Sequence, residues 1–226
     1  MDPKYQYPHP EDLADGEPRC LLTLLLDTSG SMDGEPITKL NEALVLLSQE
    51  LKNDPFTRRR VDISVITFGN NGVLLMKDVT TADSFIPPTL TAGNGTPMGE
   101  AIAAALVLQR ACKDAYRQNG IPYYRPWIFL LTDGMPTDNW TQIIQPLHDI
   151  VANKGALFFA IGVGNEVDEN ILSQIAPASS PPKKLDGMKF NALFQWLSGS
   201  MGMVSRSKPG EQTKLPSTSD WDGGYI

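Results

Sequence analysis

Cysteine, histidine and clustered basic residues are scarce in this chain of 226 residues, and their scarcity narrows the classes of function. Only two cysteines occur, Cys20 and Cys112, and they lack the spacing of a zinc site. We therefore expect a reducing, cytoplasmic setting, with a disulfide between these two residues as an open alternative. The net charge of −7 argues against nucleic acid as the main partner, because phosphate binding needs clustered Lys and Arg.

Long apolar runs are also absent. No segment approaches the roughly 20 consecutive apolar residues of a membrane span, so we expect no membrane association. Residues 1–18 are acidic and rich in proline, which predicts a flexible lead. They also lack the hydrophobic centre of a signal peptide. Residues 204–226 show no hydrophobic period and are predicted to form a flexible tail. Residues 19–203 then have the length of one domain with a sizeable core.

Apolar segments alternate with helical periodicities through this domain, which favours an α/β fold. The turn at residues 69–72 permits only antiparallel pairing of the strand that follows, which makes that strand an edge. The order of elements predicts an open, doubly wound, mostly parallel sheet with helices on both faces. Strands are predicted at residues 20–26, 61–68, 73–79, 127–132, 156–161 and 183–185, and helices at residues 36–52, 98–118, 140–153, 168–175 and 190–203.

The most informative segment is L-L-L-D-T-S-G-S-M at Leu24–Met32. Its apolar half predicts a buried strand, and its polar half supplies Asp27, Ser29 and Ser31 directly after that strand. One carboxylate and two hydroxyls are hard oxygen ligands of the kind that suit Mg²⁺. In an open α/β sheet, ligands bind at the carboxyl ends of central strands, where this loop is expected to lie.

Two further loops are expected at the same sheet edge. The segment T-A-G-N-G-T-P-M-G supplies Thr96 just before a helix, and L-T-D-G-M-P-T-D supplies Asp133 just after a buried strand. Together with the first loop they offer two carboxylates and three hydroxyls. Mg²⁺ takes about six oxygens, so this set would leave room for an outside ligand.

In their order and context, these segments resemble a von Willebrand factor type A domain with a metal-ion-dependent adhesion site. That family has D-x-S-x-S, then a distant Thr, then a distant Asp in a T-D-G context. The resemblance covers about residues 19–203 and implies binding of Mg²⁺, with Mn²⁺ or Ca²⁺ as alternatives. It also implies a protein partner whose Asp or Glu completes the metal shell. The matching ligand positions are Asp27, Ser29, Ser31, Thr96 and Asp133.

Several longer phrases, including D-T-S-G-S-M-D-G-E-P-I and F-L-L-T-D-G-M-P-T-D, are similar to the bacterial tellurite-resistance TerY-like branch. That resemblance implies a non-enzymatic adaptor in a stress-response or phosphorylation-linked system. Integrin-type relatives carry a further acidic pair for a second metal. Here Asp33 and Glu35 stand in a different register, so we expect no second site.

Alternative interpretations exist for several of these residues. A Mg²⁺-dependent phosphohydrolase could use Asp27 as its nucleophile, but Ser29 stands where such enzymes need a second acid. Asp138 is expected to cap the helix that begins near Trp140. The acidic, aromatic end of the tail, residues 219–226, is a candidate for self-association. Three methionines near the metal loops are expected either to pack in the core or to form an adaptable apolar collar: Met32, Met98 and Met135.

Overall fold

The computed structural model describes residues 8, 13–69, 71–164 and 167–225. The described part of the chain contains six α-helices and seven strands, with short 3₁₀ turns at Gly30–Met32 and Ala82–Ser84. The strands are β1 (Cys20–Thr28), β2 (Val61–Gly69), β3 (Gly72–Thr81), β4 (Trp127–Thr132), β5 (Leu157–Gly162), β6 (Lys183–Leu185) and β7 (Asp222–Tyr225). The helices are α1 (Glu35–Asn53), α2 (Thr57–Arg60), α3 (Met98–Gln118), α4 (Thr141–Ala152), α5 (Glu169–Ile175) and α6 (Phe190–Arg206).

The strands form one sheet in the order β3-β2-β1-β4-β5-β6-β7. The five inner strands are parallel, whereas β3 pairs antiparallel with β2 and β7 pairs antiparallel with β6. The predicted doubly wound, mostly parallel sheet and its antiparallel edge β3 are therefore confirmed. Strand order reverses between the neighbours β1 and β4, so the crevice at their carboxyl ends is the expected ligand position.

Helices cover both faces of the sheet and divide the core in two. Every residue of β1 and β2 is buried, as expected for strands that are covered on both faces. Helices α1 and α6 pack on one face, and α3, α4 and α5 pack on the other. Cys20 belongs to the first cluster and Cys112 to the second, and both thiols are free. The open disulfide alternative therefore does not hold in this structure.

The C-terminal segment differs from the predicted flexible tail. Helix α6 continues to Arg206, and β7 adds to the edge of the sheet beyond β6. Trp221 is only 1% exposed and packs edge-on against Trp196, with ring centroids 5.4 Å apart. The aromatic ring supplies the apolar area that the glycine-rich strand lacks. The short strand β6 is consequently an inner strand.

The N-terminal prediction falls largely outside the described residues, since only residues 8 and 13–18 of the lead are described. From residue 13 onward the chain packs on the domain. Leu13 is buried, and Arg60 pairs with Glu17. No helix in the described segments is long and apolar enough to cross a lipid bilayer.

Candidate metal centre

The end of β1 holds the first carboxylate in a fixed orientation. Asp27 is completely buried. Its Oδ1 accepts a hydrogen bond from the backbone N–H of Ser29 at 2.8 Å, and its Oδ2 accepts one from the Thr132 hydroxyl at the end of β4. The first bond folds the loop after β1, and the second joins two neighbouring strands. Asp27 therefore links the two strands whose carboxyl ends border the crevice.

The second carboxylate lies against both serines of the first loop. Asp133 Oδ1 accepts hydrogen bonds from the Ser31 hydroxyl at 2.8 Å and from the Ser29 hydroxyl at 3.3 Å. The two serine oxygens are 3.0 Å apart. Asp133 and Ser29 are buried, whereas Ser31 is exposed and lies on the solvent side of the cluster. The loops after β1 and β4 thus converge, as the sequence predicts.

The third loop brings Thr96 to the same place through backbone bonds. Gly93 N–H donates to the carbonyl of Thr28 at 2.8 Å, which joins this loop to the end of β1. Thr96 N–H donates to the Thr137 hydroxyl, and the Thr96 carbonyl accepts from Thr137 N–H, both at 2.9 Å. Thr96 is therefore held between the loops that follow β1 and β4.

Gly134 shows how closely the three hydroxyls converge. A Cβ atom built on Gly134 would lie 3.5 Å from Thr96 Oγ1 and 3.8 Å from the hydroxyl oxygens of both Ser29 and Ser31. All three oxygens therefore surround one small space beside Gly134. In the sequence, Gly134 stands out only as part of the T-D-G context. Its role in leaving that space open becomes visible only in the folded structure.

The electrostatics of the cluster favour a bound cation. Burial raises the pKa of Asp27 from 3.8 to about 6, and the charge of Asp133 adds to this effect against the hydrogen bonds from Thr132 and Ser29. Burial also raises the pKa of Asp133, against the hydrogen bonds from Ser31 and Ser29. Within the described residues, no Lys, Arg or His forms an ion pair with either carboxylate. A divalent cation would supply the missing positive charge.

The donor set also fits a hard cation. Its oxygens come from carboxylates and hydroxyls, the ligand types that Mg²⁺, Mn²⁺ and Ca²⁺ prefer. No group of three or more His, Cys, Asp or Glu residues with metal-binding geometry occurs among the described residues. Hydroxyls would therefore have to supply much of the coordination of any cation bound here. All five predicted ligand residues are brought together here: Asp27, Ser29, Ser31, Thr96 and Asp133.

Other residues near the loops have separate roles. Asp33 and Glu35 are exposed, and neither carboxylate forms a hydrogen bond or ion pair in the described part of the chain. Met32 and Met98 are completely buried in the core, whereas Met135 is 56% exposed beside the site. Met32 and Met98 therefore pack in the core, and only Met135 is left to offer an apolar surface beside the site.

Asp138 has a different role from the predicted one. Its carboxylate accepts hydrogen bonds from the backbone N–H groups of Gly99 and Glu100, at 3.2 and 2.7 Å, and so caps α3 rather than α4. The loop after β4 folds back over the start of α3, where a Cβ on Gly99 would lie 2.6 Å from the Cα of Trp140. This close approach ties the Asp133 loop to the helix that follows Thr96.

A sequence model of the von Willebrand factor type A domain matches residues 22–192. The chain belongs to this family. A search of curated proteins finds no match. This von Willebrand factor type A domain is similar in fold to several solved structures at low sequence identity. The pilus adhesin SpaC of Lactobacillus rhamnosus GG superposes with a TM-score of 0.65 at 14% identity, over 83% of this chain and 31% of the adhesin.

Two of the similar solved structures contain a metal. Proximal thread matrix protein 1 of the mussel byssus, with a zinc-occupied MIDAS motif, has a TM-score of 0.55 at 14% identity and covers 84% of this chain. Manganese-loaded TRAP protein of Plasmodium vivax has a TM-score of 0.50 at 18% identity and covers 77% of this chain. The present chain spans 46% of the mussel protein and 71% of TRAP. These similarities establish the shared fold.

Proposed function

We propose that this von Willebrand factor type A domain is a non-enzymatic adaptor that binds a protein partner through a Mg²⁺ ion. The observation that carries the proposal is the convergence of three hydroxyls beside Gly134, with the Asp133 carboxylate bonded to two of them and the Asp27 carboxylate bonded to the backbone of the same loop. The metal-bearing relatives from mussel and Plasmodium vivax support a divalent ion at this kind of site. Mg²⁺ is our choice among hard cations, with Mn²⁺ and Ca²⁺ as alternatives.

The carboxylates and hydroxyls of this site favour binding of an acidic side chain of the partner to the metal ion. Two carboxylates balance the charge of a divalent ion formally, but both are buried behind the hydroxyls of the first loop. Ser31 is the exposed member of the set, so an incoming group would approach from its side. A bound Mg²⁺ would act as an electrophile for an Asp or Glu side chain of the partner. Met135 lies exposed beside the site and offers that partner an apolar contact.

The cellular setting is also part of the proposal. The phrases around Asp27 and Asp133 support a TerY-like adaptor in a bacterial tellurite-resistance or related stress-response system. We place it in the cytoplasm, where two free, buried cysteines would stay reduced. Burial raises the pKa of the Cys20 thiol to about 12, with a smaller contribution from Asp62, so this thiol is unreactive.

The structure disfavours the phosphohydrolase alternative. A nucleophilic carboxylate needs access to the phosphorus atom, but Asp27 is completely buried and both of its oxygens accept hydrogen bonds from the protein. Position 29 is a serine that donates to Asp133, so no second acid stands there. Asp27 is better suited to anchoring a cation.

Direct titration of the purified protein tests the metal site first. Calorimetry with MgCl₂, and manganese electron paramagnetic resonance as a second method, should show binding by the wild type and none by Asp27→Asn. Asp33→Asn is the matched control, because it removes an exposed acid six residues away whose carboxylate forms no hydrogen bond or ion pair among the described residues. Equal metal binding by all three proteins would refute the assignment of the site.

Affinity capture then tests the adaptor role. Lysate proteins retained by the immobilised wild type in Mg²⁺ should be released by a chelator and should be missing from the Asp27→Asn column. The Asp33→Asn column should retain them. A retained set that is indifferent to the chelator and to Asp27→Asn would contradict metal-dependent capture, and turnover of a generic phosphate ester would contradict the non-enzymatic role.

A further inference from the structure

A large cleft lies at the end of the sheet opposite to the metal centre. Its volume is about 720 Å³, within the range of roughly 300–1,000 Å³ that is common for ligand-binding clefts. Trp127 and Leu157 line it, and these residues begin β4 and β5. Asp133 directly follows the other end of β4. Six strand residues at about 3.3 Å each separate the two places by roughly 20 Å, so the cleft is independent of the metal loops.

The cleft is cationic although the whole chain has a net charge of −7. Four basic side chains line it, and among the lining residues only Glu211 is acidic. The basic residues come from three different parts of the fold: the last turns of α3, the segment before β4, and the turn between α4 and β5. They are Lys113, Arg117, Arg125 and Lys154.

Among the described residues, the basic groups of the cleft have too few anionic partners. Lys113 Nζ donates to the carbonyl oxygen of Gly155 at 3.1 Å, and Arg117 pairs with exposed Asp114. The side chains of Arg125 and Lys154 form no hydrogen bond or ion pair in the described part of the chain. Burial lowers the pKa of Lys113, and the nearby charge of Arg117 lowers it further. An anion in the cleft would relieve this crowding of positive charge.

One wall of the cleft is suited to a peptide. Residues 211–213 and 215 line it, and in the described structure they belong to a segment between α6 and β7 that is neither helix nor strand. The backbone amides of Gln212–Leu215 have no intramolecular hydrogen bond among the described residues. An extended ligand could use these backbone groups as well as the basic side chains. A small anion would use only the side chains.

We propose that this cleft binds an acidic segment of a partner protein in an extended conformation, without any need for the metal. Arg125 and Lys154 are the residues most available to bind its carboxylates. Arg117, whose guanidinium lies 5.5 Å from the centre of the Tyr123 ring, adds a planar fork at the rim. The site goes beyond the proposed adaptor function, because it offers a second contact on the far side of the domain.

Fluorescence anisotropy with a labelled hexaglutamate peptide tests this proposal on the full chain. At low ionic strength the wild type should bind the peptide, and added salt should weaken the binding. The double variant Arg125→Gln/Lys154→Gln should bind about tenfold more weakly, because it loses two partly exposed ion pairs with the peptide. The matched control Lys39→Gln/Arg58→Gln removes two exposed cations elsewhere and should bind as the wild type does.

Further arms of the experiment separate the cleft from the metal centre and from other anions. Peptide binding should persist in a chelator and in Asp27→Asn, so that failure of the metal site leaves this result intact. Equal weakening in both double variants, or no binding by the wild type at low ionic strength, would overturn the proposal. Binding of tripolyphosphate at Arg125 and Lys154 without binding of the peptide would also overturn it, in favour of a small-anion site.

Discussion

Replacement of Asp27 by Asn should stabilise the metal-free protein and abolish its stabilisation by Mg²⁺. The amide has nearly the same shape as the carboxylate. Its oxygen can still accept from the N–H of Ser29, and its NH₂ group can donate to the Thr132 hydroxyl once that hydroxyl rotates. The variant therefore keeps the connection between β1 and β4. What it removes is a completely buried negative charge without a cationic partner.

The pKa of Asp27 sets the magnitude. Burial, with a contribution from Asp133, raises this pKa from 3.8 to about 6. At about 1.4 kcal/mol per unit, ionised Asp27 lowers the free energy of unfolding by up to about 3 kcal/mol. Because the pKa is higher in the folded state, this penalty is absent below about pH 4 and complete above about pH 6. At pH 7 in a chelator, Asp27→Asn should therefore be more stable by about 1–3 kcal/mol.

Bound Mg²⁺ should offset most or all of this difference between the two proteins. At a free concentration of 100 times its Kd, a ligand that binds only the folded state raises the free energy of unfolding by about 2.7 kcal/mol. The wild type should gain this amount and Asp27→Asn should gain nothing. Urea denaturation at pH 7, with chelator and with Mg²⁺, measures both effects, and Asp33→Asn serves as the control. A less stable Asp27→Asn in the chelator, or equal stabilisation of both proteins by Mg²⁺, would refute the reasoning.

Three other substitutions test the packing around the site and the C-terminus. Gly134→Ala places a methyl group among the three hydroxyls at ordinary contact distances, so calorimetry should show metal affinity at least about tenfold lower with nearly unchanged urea stability. Gly99→Ala brings Cβ to 2.6 Å from the Trp140 backbone and should lower the free energy of unfolding by about 1–3 kcal/mol. Trp221→Ala should lower it by about 3–5 kcal/mol in urea denaturation, because the ring is buried against Trp196. Unchanged stability in either of the last two variants would contradict the packing described.

The central sheet and the metal loops were predictable because they depend on local patterns. An apolar strand that ends abruptly in an acid indicates both that the strand is buried and where the polar groups that follow it will lie. This is true of β1 with Asp27 and of β4 with Asp133. The parallel order then brings both strand ends to one edge without further information. The expected neighbourhood of the five oxygen donors follows from topology alone, and the structure confirms that they are brought together.

Features that depend on contacts between distant residues were missed. The segment Asp222–Tyr225 has two glycines and no alternating apolar pattern, so nothing local indicates a strand. It is held by the burial of Trp221 and by the pairing of Lys183 with Asp222. Asp138 likewise precedes one helix in sequence but caps another in space. Local spacing could not distinguish these two helix starts, because the choice depends on how the loop after β4 folds back.

Part of the positive charge at the cleft has a structural explanation. Basic side chains near helix C-termini offset the partial negative charge there, which is about half a charge per helix. Helices α3, α4 and α6 end at the cleft, so they account for roughly 1.5 negative charges. The lining side chains carry four positive charges and one negative, and Asp114, which does not line the cleft, pairs with Arg117, so about half a positive charge remains without compensation. Helix dipoles explain the position of Lys113, which caps the turn before β5, but they do not explain Arg125, which lies on no helix. An acidic ligand would supply the negative charge that the described part of the fold does not place beside Arg125.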